Sequence, residues 1–301
     1  MSTTKLKASD RQALFRKIAT VLKKEYGGSV PKDQRNVLET MLFACCLEDA
    51  RYADAEAAYK NLIETFHDLN EIRVSSISEV ERSLESLDNA AWRALRVRDT
   101  LQYVFEKYYV FDFEPLRRKT MDAAVKQLAK IKCLSPFVQL YTLQHSLGAH
   151  VVPMDETLCE VIAWLGLIPQ GLPPDKAAEE IKSSVRKPDA ALLCHLLREL
   201  GADPKFKSAF KITKSMLIDG EVDASDAPER LRALIKNPPK RTKKVSKSRK
   251  KPASPKTGTA TKRSKVAKKA TATKKKVTKK VTRPKRTAKK KTTRSSVRKK
   301  K

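Results

Sequence analysis

The sequence predicts an all-α body over residues 1–236 and a separate basic tail over 237–301. Three observations lead there. Apolar residues recur at three- and four-residue spacing through the first 236 positions, and no useful stretch alternates with period two. Glycine is scarce, at eight in 301 residues, and Leu, Ala, Val and Ile are abundant, a balance that suits helices. The charge is also divided unevenly. Residues 241–301 hold 29 Lys or Arg and no Asp or Glu, which leaves 36 basic against 34 acidic residues in 1–240. The formal charge of +31 is therefore a property of the tail.

The elements follow in order. Leu14, Phe15, Ile18 and Leu22 predict a helix over 10–25, ended by Gly27-Gly28. Val37, Leu38, Met41, Leu42 and Cys45 predict a second over about 33–47, and Ala55, Tyr59, Leu62, Ile63 and Phe66 a third over 53–66. Ser76 precedes Glu79 by three residues, a capping-box spacing, and starts a helix bearing Val80, Leu84 and Leu87. A long helix spans about 90–108. Thr120 caps the next, and a short apolar one covers about 136–146. Asp155 starts a helix with Leu158, Val161, Ile162 and Leu165, closed by Gly166. Helices over 175–185 and 189–200 follow, the second stopped by Gly201, and two weaker ones are expected over 204–217 and 226–236.

The tail starts at Asn237-Pro238-Pro239. Lys243, Lys244, Lys268, Lys269, Lys279 and Lys280 typify it, set among Thr, Ser, Ala, Val and Pro. Such a segment has little apolar surface to bury and its charges repel, so disorder is expected. In composition it resembles the tails of linker histones and of bacterial histone-like proteins. Each Lys or Arg that neutralises a phosphate releases counterions, which predicts nucleic-acid affinity that is steep in salt and poor in sequence information. Double-stranded DNA is the expected partner, and RNA is open to the tail as well.

Other classes are expected to be absent. No stretch approaches the roughly 18 apolar residues of a membrane span, and the N-terminal residues lack the apolar run of a secretory signal. An intracellular, DNA-associated and monomeric protein is expected, in a bacterial nucleoid or cytoplasm or in a eukaryotic nucleus. The five cysteines, Cys45, Cys46, Cys133, Cys159 and Cys194, include no Cys-x-x-Cys pair. They read as small buried hydrophobes, and no zinc site, iron–sulfur cluster or other cofactor is expected. His145 and His150 have no third ligand at metal spacing.

Residues 131–167 carry the functional signal. Ile131-Lys132-Cys133-Leu134-Ser135-Pro136-Phe137 leads into an apolar helix, then Pro153-Met154-Asp155-Glu156-Thr157-Leu158, then Leu165-Gly166-Leu167. This resembles the helix-hairpin-helix DNA glycosylases of the endonuclease III type, in which Leu-Pro-Gly-Val-Gly is followed by Val-Asp-Thr and a helix ending in Leu-Gly-Leu. Weaker likeness at Leu42–Cys46 and Ala90–Ala94 extends the resemblance over about residues 31–201.

The resemblance implies two helical lobes with Asp155 at a cleft, and a monofunctional N-glycosylase in base-excision repair. It places Cys133 and Ser135 at the hairpin glycines that face a DNA phosphate, Phe137 at the nucleophilic lysine and Cys45 at the wedge glutamine. Without an amine at Phe137, Schiff-base lyase chemistry is not expected. The cysteine cluster loop is missing after Gly201. Asp155 could stabilise an oxocarbenium-like sugar, or could serve only as a helix cap. Glu48 and Asp49 could flank the pocket or end a helix in solvent, and Trp92 could stack on a base or be a core or hinge tryptophan. The alternative to an enzyme is a glycosylase-fold protein without chemistry that organises DNA in the nucleoid or chromatin.

Overall fold

The structure is a computed structural model and describes residues 7–32, 34–218 and 221–239. Lys243, Lys244, Lys268, Lys269, Lys279 and Lys280 lie outside the described residues, as does nearly all of the expected tail. The described chain is built of helices: α1 (Ala8–Tyr26), α2 (Val37–Leu47), α3 (Tyr52–Thr65), α4 (Leu69–Val74), α5 (Ile77–Ser83), α6 (Ala90–Tyr108), α7 (Met121–Leu128), α8 (Pro136–Leu147), α9 (Glu156–Trp164), α10 (Pro174–Lys182), α11 (Lys187–Ala202) and α12 (Ala227–Lys236). Short 3-10 turns cover Glu114–Arg118 and Lys214–Met216.

Side-chain chemistry sets many of the helix starts. Asn36 and Ser76 each form a full capping box, with Glu39 and Glu79. Asp68, Thr120, Ser135 and Asp155 each accept from the N3 backbone N–H of their helices.

Two hydrophobic cores form two lobes. The first gathers α2 through α8 around Phe43, Leu62, Leu101 and Phe137. The second gathers α1, α9, α10, α11 and α12 around Ile18, Leu158, Leu197 and Phe206. Fully burying one such side chain contributes about 1.5–3 kcal/mol. The lobes interleave in sequence, because α1 packs on α11 and α12. α8 belongs to the first lobe and α9 to the second, so Asp155, between them, sits at the seam.

Some local expectations are corrected. Residues 204–217 do not form a helix. Asp203 accepts from the Lys205 backbone N–H at 2.9 Å and turns the chain. Among these residues only Phe206 is fully buried, too few apolar positions for a helical face. Leu217–Ile218 then pairs antiparallel with Glu221–Val222. Gly201 does not stop α11, which continues to Ala202. Its place is a helix crossing: a Cβ there would lie 2.6 Å from Thr157 Cγ2 and 2.9 Å from Val161 Cγ2 of α9. The sequence pattern also missed α4 and the turn at Glu114–Arg118.

Candidate functional site: a carboxylate cleft at the lobe seam

A cleft of about 460 Å³ opens at the seam. Its lining includes Glu48, Asp49, Ser135, Phe137 and Asp155, so the sequence-derived candidates converge there apart from Cys45 and Cys133. Trp92 stands at its edge, 64% exposed, which excludes the core reading of that tryptophan.

Asp155 is the N-cap of α9, and both oxygens of its carboxylate are hydrogen-bonded. Oδ1 accepts from the Leu158 N–H at 2.8 Å. Oδ2 accepts from the Asp49 N–H at 3.3 Å and from Arg198 Nε at 3.2 Å. The side chain has no solvent exposure. Burial pushes its pKa up, and the Arg198 guanidinium opposes that rise.

Asp49 mirrors this arrangement. Its backbone takes the left-handed conformation, φ 53°, and its Oδ1 accepts from the Thr157 N–H at 2.9 Å. The positive end of the α9 dipole thus meets two carboxylates, one from each lobe.

Two arginines that the sequence reading missed organise the rest. Arg198 on α11 pairs with Asp155 while its guanidinium carbon lies 4.8 Å from the centre of the Phe137 ring. A cation thus reaches Asp155 from α11, while Phe137 stands where the resemblance places a lysine. Arg93 on α6 donates to the carbonyls of Cys45 at 2.8 Å, Cys46 at 3.0 Å and Glu48 at 2.6 Å. It thereby satisfies the carbonyls left open at the end of α2. Glu48 pairs with Arg96; burial raises its pKa and Arg96 counteracts that.

The segment between α7 and α8 is the hairpin of the resemblance. None of residues 129–135 has positive φ, so it closes without glycine. The N–H groups of Lys130 and Ile131 bond to the Gln127 and Leu128 carbonyls at the end of α7, that of Leu134 bonds to the Ile131 carbonyl, and Ser135 Oγ takes that of Val138. Pro136 has no N–H to give. Cys133 is half-buried, with its thiol donating to the Arg96 carbonyl at 3.8 Å. Cys45 has no exposed surface and Phe137 only 1%, so neither side chain presents a surface to a duplex.

Among the described residues no group of three or more His, Cys, Asp or Glu is placed to hold a metal ion, and no helix is long and apolar enough to cross a membrane. Burial pushes the Cys46, Cys159 and Cys194 thiols up to about 12, well away from thiolate reactivity.

No family model matches the chain, and no curated protein matches it. Solved structures do. A non-covalent endonuclease III–DNA complex aligns with a TM-score of 0.51 at 14% identity, over 73% of this chain and 98% of that one. A trapped endonuclease III–DNA covalent intermediate gives 0.49 at 13% identity, over 62% and 84%. The H. pylori 3-methyladenine DNA glycosylase MagIII, bound to 1,N6-ethenoadenine, gives 0.48 at 14% identity, over 69% and 100%. At this identity the first likeness speaks to architecture: the body of this chain has the two-lobed, all-helical fold of endonuclease III.

Proposed function

We propose that this chain is a DNA-binding protein that uses the endonuclease III fold to engage duplex DNA without excising a base through Asp155. The 29 cations of residues 241–301 supply most of the affinity. The near-neutral body supplies the preference for a duplex. The observation that carries the choice between binding and excision is the state of the Asp155 carboxylate. Both its oxygens are occupied, its side chain has no exposure, and Arg198 neutralises it. An oxocarbenium-like transition state needs a carboxylate whose field reaches the sugar, and one paired internally in this way offers little.

Monofunctional excision is the second reading. Asp155 borders a cleft of about 460 Å³, room for a flipped nucleotide, beside Glu48, a second carboxylate with a raised pKa. One experiment separates the two. The full chain and its Asp155→Asn variant are incubated with duplexes carrying alkylated, oxidised or deaminated bases, and base release is measured beside affinity. Binding without release from any of them is the expected result. Release that disappears in Asp155→Asn would establish excision instead. Deleting residues 241–301 should weaken duplex binding by about 10²–10³-fold at low salt and flatten its salt dependence. Unchanged affinity would remove the tail from the account.

A further inference from the structure

In the second lobe, α1 and the start of α11 enclose a groove of about 260 Å³. Its charges are handled unlike those of the cleft. Arg16 and Lys23 lie seven residues apart on one face of α1, and Arg186 faces them from the turn before α11. The side chains of these three cations make no hydrogen bond or ion pair among the described residues. Arg186 is also the N-cap of a 16-residue helix, with no side-chain cap, and Lys187 follows it. Cations are unfavourable at the positive end of a helix dipole. All three cations are exposed to solvent and free to turn to a ligand, with Asp189 as the one carboxylate on the groove.

Ser184 supplies an independent sign of a ligand. It is fully buried, it lines the groove, and its hydroxyl has no hydrogen-bond partner among the described residues. A buried hydroxyl left unpaired costs about 1–3 kcal/mol. Beside it the groove is apolar, with Phe15, Val185 and Leu193 all buried.

We propose that this groove binds a small phosphate monoester. Its phosphate would be held by Arg16, Lys23 and Arg186, and its organic part would lie on the apolar floor. Guanidinium groups match phosphate oxygens in pairs, and a helix N-terminus favours the same charge. The charge of the site selects a monoester. Three cations on one groove match a terminal phosphate of nearly two negative charges, whereas a duplex backbone phosphate, esterified on both sides, carries one. The site stands apart from the seam cleft and does not depend on how DNA is bound.

Calorimetric titration of the full chain at about 150 mM salt tests it, with adenosine 5′-monophosphate, inorganic phosphate, adenosine and a short duplex as probes. The monophosphate should bind one per chain, more tightly than phosphate or adenosine alone. Arg16→Glu with Arg186→Glu should weaken it by at least about tenfold. Ser184→Ala should weaken it by about fivefold, as for one lost hydrogen bond. Duplex affinity should be unchanged in both variants. Monophosphate binding that the paired charge reversal leaves intact would place the nucleotide elsewhere on the chain and overturn the proposal. So would the absence of monophosphate binding, or a loss of duplex affinity in these variants in its place.

Discussion

The seam cleft and the α1–α11 groove are lined by the same kinds of side chain and treat them in opposite ways. In the cleft three of the four carboxylates meet a donor of this chain: Asp155 with Arg198, Asp49 with the α9 backbone, Glu48 with Arg96; the exposed Glu156 is the fourth. In the groove three exposed cations and a buried hydroxyl have no partner among the described residues. An aspartate at a helix start beside a cleft invites a catalytic reading, but chemistry needs a group with an uncommitted lone pair or proton. The cleft carboxylates join the two lobes, whereas the cations of the groove stand open to solvent.

The largest effect should come from breaking the joint. Arg198→Met strands a buried carboxylate and should destabilise the body by about 3–5 kcal/mol. Adding Asp155→Asn removes that charge and keeps the cap, so the double variant should recover much of the loss. Urea unfolding of both reads this directly. A single variant within about 0.5 kcal/mol of the parent would mean that the pair is not what holds the seam. Gly201→Ala comes next. Its Cβ would meet Thr157 and Val161 under 3 Å, and overpacking of this kind costs about 1–3 kcal/mol. Thr157→Ser, which lacks the methyl group in the way, should restore part of the loss; no restoration would place the strain elsewhere.

These two residues also mark how far the sequence was legible. Period and caps are local, so Ser76, Thr120 and Asp155 were readable as helix starts and serve as such. Asn36 was not singled out, although Glu39 three residues on completes its capping box. The resemblance around Asp155 reached the fold because it rests on spacing along one stretch. Arg93 and Arg198 escaped because the partners that tie them to the cleft lie 43 to 48 residues away. Arg198 did leave a trace, since Arg198-Glu199 interrupts the run Leu196-Leu197 to Leu200 inside a helix. A charged pair on a buried face has to be neutralised from somewhere, here by Asp155 for the arginine and by Arg51 and the Tyr52 N–H for the glutamate. The role of Gly201 was misread for a related reason: a helix stop and a close helix crossing look alike in sequence.

The groove should respond in the reverse direction. Arg186→Ser supplies the missing N-cap of α11 and removes a cation from its positive end. A gain of about 1 kcal/mol is expected. The same change should weaken monophosphate binding, so stability and binding would move oppositely, as expected where a binding site is held against local preference. A loss of stability on thermal unfolding would show that Arg186 is already well satisfied, and the contrast between the two regions would fail at that point.

The smallest effect concerns the sign of a titration in the cleft. Burial raises the Glu48 pKa despite its pairing with Arg96. A carboxyl whose folded value exceeds its unfolded one, about 4.3, contributes most to stability below that unfolded value. The contribution is lost as pH rises through the folded value. Glu48→Gln removes this dependence, so stability should fall less between pH 4 and pH 7 in the variant than in the parent, by a few tenths of a kcal/mol for a pair partly open to solvent. Denaturant titrations at the two pH values measure the difference. A variant that loses more than its parent over that interval would mean that Arg96 outweighs burial, making the Glu48 end of the cleft as fully compensated as Asp155 is by its three donors.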